Sequence, residues 1–126
     1  MSLALADAQA GDNFDLGILE RNPDPVDRLQ TLALVWQWRG NQSRSDEYLH
    51  RLVEQHADVA PYQISLVYAD RRDLNNTFVW LERAFEKHNS GLGGIQYDYY
   101  DAPAVRRDPR YIAFLKKLNI AAHPNH

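Results

Sequence analysis

The stretch "LALVWQWRGNQSRSDEYLHRLVEQH", residues 32–56, lies without gaps on "ISLVYADRRDLNNTFVWLERAFEKH", residues 64–88, at an offset of 32 positions. Leu34 meets Leu66, Val35 meets Val67, Arg39 meets Arg71, Leu49 meets Leu81, Arg51 meets Arg83, Glu54 meets Glu86 and His56 meets His88. Aromatic positions also correspond, Trp36 with Tyr68 and Tyr48 with Trp80. Similarity at a fixed period marks a repeat architecture, in which each unit buries its apolar face only by stacking on the next.

Within each copy the apolar residues recur at helical spacing. Leu29, Leu32, Ala33 and Trp36 form an i, i+3, i+4, i+7 stripe, and Ile64, Ser65 and Tyr68 follow the same rule. Polar turns at 39–43 and 71–76 separate these from second stripes, first Tyr48, Leu49 and Leu52, then Phe78, Leu81, Ala84 and Phe85. The pattern predicts an all-α fold of roughly six helices arranged as pairs, with repeats at 25–58 and 59–90. Prolines punctuate this plan: "NPDP" at 22–25 and Pro61 fall where one pair stops and the next begins, as suits Pro in a first helical turn.

Further out the reading is coarser. Residues 1–24 are expected to form a degenerate helix pair turning at Gly11 and Asp12. Residues 91–103 are a Gly/Tyr loop, 104–120 a capping helix with Asp108 as N-cap and Pro109 at its first position, and 121–126 a tail. The Gly-rich part, "HNSGLGGIQYDYYDAP" at 88–103, lacks the preceding strand and following lysine of a phosphate-cradling loop. It reads as a joint: Gly91 a left-handed C-cap, Gly93 and Gly94 a turn, and Tyr97, Tyr99 and Tyr100 a shield over the end of the core.

Composition narrows the chemistry. The 126 residues suit one domain, contain no cysteine and carry a formal charge of −3. That excludes thiol chemistry and argues against a broad basic surface for nucleic acid. The basic residues Arg106, Arg107, Arg110, Lys116 and Lys117 suit the last turns of helices. No apolar run is long enough to span a bilayer, and "MSLALADAQAGD" lacks the basic start of a signal peptide, so a location in the cytoplasm and no membrane contact are expected. His56 and His88 occupy equivalent helix ends, His50 and His56 do not share a face, and Asp98 and Asp101 have no partner base or nucleophile. No catalytic residue, metal site or cofactor is expected.

The helix pairs resemble tetratricopeptide repeats, with Leu29, Leu32, Ala33 and Trp36 followed by Ser45, Leu49 and Leu52, and Pro61, Ile64, Ser65 and Tyr68 followed by Thr77, Leu81 and Ala84. Arg72 stands where the usual turn glycine is kept as Gly40, Thr77 replaces a small alanine, and the period is 32 rather than 34. "DAPAVRRDPRY" at 101–111 is similar to the closing segment of tetratricopeptide domains that end bacterial winged-helix regulators and adenylate cyclase-like signalling proteins. The resemblance implies a right-handed superhelix of antiparallel helix pairs with a capping helix. It also implies a non-catalytic scaffold for a protein or peptide partner, serving as the C-terminal regulatory domain of a larger protein, periplasmic if that protein is membrane-anchored. By its register Asp27, Gln30, Leu34, Gln37, Trp38, Tyr62, Leu66 and Asp70 would face a groove, with Trp38 and Tyr62 as anchors, although Trp38 packing under the N-terminal segment is the alternative. Two other classes remain open: a homodimer formed through an uncapped end exposing Leu3 and Leu5, and helical-repeat recognition of RNA.

Overall fold

A computed structural model describes residues 16–99 and 102–118, which are all-helical, with eight α-helices and one 3-10 turn. Helix α1 spans Leu16–Glu20, α2 Pro25–Trp38, α3 Gln42–His56, α4 Pro61–Asp70 and α5 Leu74–Glu86. The 3-10 turn Ser90–Gly94 leads into α6 (Ile95–Asp98), and α7 (Pro103–Arg107) and α8 (Pro109–Lys117) follow.

Local chemistry sets these boundaries. Asp24 caps α2 by accepting from the Val26 and Asp27 amides, and Asn41 and Asp73 do the same for α3 and α5 through Arg44 and Asn76. Gly40 closes α2 in the left-handed region at φ +82°, where a glycine has no Cβ to strain. Its repeat counterpart Arg72 adopts φ +60° as the turn after α4. The expected break before Pro109 is present, but it divides the cap: Asp108 is extended at ψ 130° because the proline ring disfavours helical backbone in the residue before it. The single capping helix expected at 104–120 is therefore two helices, α7 and α8.

The Gly/Tyr segment also differs from expectation. It is helical through Asp98 rather than a loop, and the left-handed residue after α5 is His88 at φ +53°, not Gly91. Gly91 is required for a different reason: a Cβ there would lie 2.5 Å from Cδ2 of the Tyr62 ring, whereas one on Gly93 would meet nothing within 4 Å. Gly91→Ala should therefore destabilise by about 2 kcal/mol through overpacking, while Gly93→Ala should stay within about 0.5 kcal/mol. Urea denaturation of both variants checks the contrast; equal midpoints would refute it. Of the expected tyrosine shield, Tyr99 is fully buried, Tyr97 is 87% exposed, and Tyr100 lies outside the described residues. Of the degenerate first pair only α1 falls within the described residues, where it packs on α2 through Leu19.

Two cores form. The first gathers Leu19, Leu29, Leu32, Val35, Leu49 and Leu52 with Ile64, Val67 and Trp80. The second gathers Tyr62, Ala69, Phe78, Leu81 and Ala84 with Leu92, Ile95, Tyr99, Val105, Tyr111, Phe114 and Leu115. Helices α4 and α5 supply residues to both. Tyr62 and Tyr99 meet edge to face with centroids 6.3 Å apart, and Phe85 meets Phe114 likewise at 6.4 Å. Arg110 bonds Asn75 and stacks on Phe78, and Lys117 pairs with Glu82, fastening α8 to α5.

Burial lifts the phenols of Tyr62 and Tyr99 far above the ordinary tyrosine value, with the Asp98 carboxylate adding to the effect on Tyr62. The stability that the protonated rings contribute is fully present below the unfolded-state value of about 10 and is lost as pH rises toward the folded values. Helical circular dichroism should therefore fall above about pH 10, in step with tyrosinate absorbance. Complete tyrosine ionisation with the helical signal intact would refute this.

A polar clasp joins the two pairs. The Arg71 guanidinium donates from Nε to Gln37 Oε1 at 3.0 Å, from one terminal nitrogen to Asp46 at 2.6 Å and from the other to Ser45 Oγ at 2.6 Å. Ser45 in turn donates to the Ala33 carbonyl. Arg71 is thus a fork gripping α2 and α3 from the end of α4, and its hydrogen bond holds the Asp46 carboxyl below the usual carboxylate range.

Candidate binding cleft

Helices α2 and α4 lie side by side and bring repeat-equivalent positions to one surface: Gln30 with Tyr62, Leu34 with Leu66, and Trp38 with Asp70. With Asp27 and Gln63 they form one wall of a cleft of about 970 Å³. The opposite wall comes from the C-terminal elements, through Gly91, Tyr97, Asp98, Tyr99, the Ala102–Val105 stretch and Arg107, and Arg72 after α4 also lines the cleft.

The residues expected from the sequence are placed unequally. Trp38 is half-buried, packed against the first core, with its indole N–H donating to Asp70 Oδ2 at 2.8 Å. Leu66 and Gln30 are half-buried on the cleft wall, and Asp70 is more open than either but partly enclosed by its neighbours. Gln37 does not line the cleft; its amide donates to Asp70 at 2.7 Å and its carbonyl accepts from Arg71, so it positions the wall from behind. Tyr62 is 2% exposed. Its ring is core, and its hydroxyl donates to Asp98 Oδ2 at 2.7 Å, so the anchor expected there is instead part of the cleft floor. Leu34 is likewise floor, at 4% exposure.

The far wall does not follow from the sequence, in which Asp98 is only half of an acidic pair with Asp101 and Tyr97 only part of a shield. The glycines between residues 91 and 94 conceal the helical character of the segment that builds it.

Electrostatics give the cleft its character. Asp70 is held above the ordinary carboxylate range by withdrawal from water, against the lowering effects of the Trp38 hydrogen bond and of Arg71 and Arg72. The described residues contain no group of three or more potential metal ligands; His50 pairs with Glu54 along α3. His123, His126, Leu3 and Leu5 lie outside them. Among the described residues no helix is long and apolar enough to cross a membrane. Comparison of the chain with protein-family models, with curated proteins and with solved structures finds no match.

Proposed function

We propose that the chain is a tetratricopeptide-like scaffold that binds a peptide or protein segment in the α2/α4 cleft, without catalysis. The observation that carries this reading is the convergence of repeat-equivalent positions 30/62, 34/66 and 38/70 on one cleft. In a helical-repeat binder the first helix of each pair supplies the recognition surface and the second supplies its support. That division is present here: α2 and α4 line the cleft, while α3 and α5 turn their buried faces to the cores. The Asp-Pro step that caps α8 and the resemblance of 101–111 to regulator tails support a role as the C-terminal regulatory domain of a larger bacterial signalling or transcriptional protein, working in the cytoplasm.

Panning a random peptide library against the whole chain tests the reading. Enriched peptides are expected to bind the wild type and to weaken about tenfold or more with Trp38→Ala or Leu66→Ala, a hot-spot-sized effect. Circular dichroism should show both variants folded. Peptides that bind these variants as tightly as wild type, or no enrichment at all, would overturn it.

A further inference from the structure

Several carboxylates outside the cleft pair with cations, Glu47 with Arg51, Asp46 with Arg71, Asp58 with Lys87, Asp108 with Arg110 and Glu82 with Lys117, while among the described residues Asp24 and Asp73 accept only from neutral groups. The three that line the cleft are of the second kind. Among the described residues Asp27 accepts from the Asn22 amide at 2.6 Å, Asp70 from the Gln37 amide and the Trp38 indole, and Asp98 from the Tyr62 hydroxyl. Every one of these donors is neutral, and every one reaches Oδ2, so each carboxylate is oriented by one oxygen and presents Oδ1 without a bond to the described chain.

The arrangement at Asp70 is the most developed. Two donors from the end of α2 converge on one oxygen, which fixes the plane of the carboxylate beside the Trp38 ring and Leu66 on the cleft wall. Arg72 and Arg107 also line the cleft, and Arg71 and Arg72 act electrostatically on Asp70, yet among the described residues none of these arginines makes an ion pair with the three carboxylates. An incoming cation would find an oriented carboxylate with one oxygen unbonded, and the Trp38 and Leu66 side chains as apolar surface for its methylene stem, the combination that suits a lysine or arginine side chain.

Building on the peptide-cleft reading, we infer that the occupant is an extended segment with basic side chains, one of them seated on Asp70 against Trp38. Charge complementarity then sets its direction of preference and its salt dependence. Neutral Asn22, Gln37 and Tyr62 act as positioning residues that hold the carboxylates open instead of quenching them.

The test uses three fluorescein-labelled peptides of equal length, alternating Lys–Ala, Glu–Ala and Ser–Ala, titrated with the whole chain by anisotropy. The Lys–Ala peptide is expected to bind most tightly, to weaken with added salt, and to lose about tenfold in affinity with Asp70→Asn. Glu86→Gln, an exposed charge on α5 away from the cleft, should leave that affinity unchanged and so exclude attraction to the acidic molecule as a whole. Preference for the Glu–Ala peptide, or equal loss with Asp70→Asn and Glu86→Gln, would overturn the inference. Its failure is separable from that of the cleft itself. If library peptides still depend on Trp38 while basic peptides show no preference, the cleft binds but not through charge; if library peptides ignore Trp38, the cleft reading fails.

Discussion

Tyr99→Ala is expected to destabilise the fold by about 4 kcal/mol, the range of a large aromatic removed from a closed core. The ring is fully buried, lies 6.3 Å from Tyr62 and 6.2 Å from Tyr111, and belongs to the core that holds the C-terminal helices. Its hydroxyl is 2.7 Å from that of Ser65, whose own proton is directed to the Tyr62 carbonyl, so Tyr99 donates. Because domains are commonly stable by only about 5–15 kcal/mol, the alanine variant should show a large drop in thermal midpoint. Tyr99→Phe keeps the packing and leaves only Ser65 short of a donor, so it should cost about 1 kcal/mol. A phenylalanine variant as unstable as the alanine one would place the importance in the hydrogen bond and refute the packing account.

Arg71→Ala should cost about 3 kcal/mol, since it removes a largely enclosed fork with three hydrogen bonds. The figure is held below the simple sum because Asp46, one of the three acceptors, is largely exposed to solvent. Arg71→Lys retains a charge but no planar fork, and should recover only part of the loss. Denaturant midpoints of the two variants decide it. A lysine variant equal to wild type would mean that charge alone joins the pairs.

The first pair and the second were legible because a repeat writes its constraints twice. Leu34 and Leu66, or Arg39 and Arg71, agree at a fixed offset, and helical spacing supplies the rest. The same register placed Trp38 and Asp70 on one surface. What it could not show is depth: Tyr62 is expected at a groove position, but Gly91, from a segment that matches neither repeat, comes close enough to cover its ring. Three glycines between residues 91 and 94 suggested a loop, whereas Asn89 accepting from the Gly91 amide starts a 3-10 turn that runs into α6. The role of Arg71 was also hidden, since a charged residue at a repeat-equivalent site looks like solvated surface until its three acceptors are in view.

The division into two cores has a consequence for synthesis on the ribosome. The first core is chemically complete once Trp80 has emerged, whereas the second needs residues as far as Leu115. At about 5–20 residues per second, the interval between those two points is roughly 2–7 seconds. Throughout it the nascent chain carries one finished hydrophobic centre and one open, with Tyr62 and Leu81 awaiting the segment that will cover them. A chaperone waiting at the exit tunnel would meet this chain with its far wall missing.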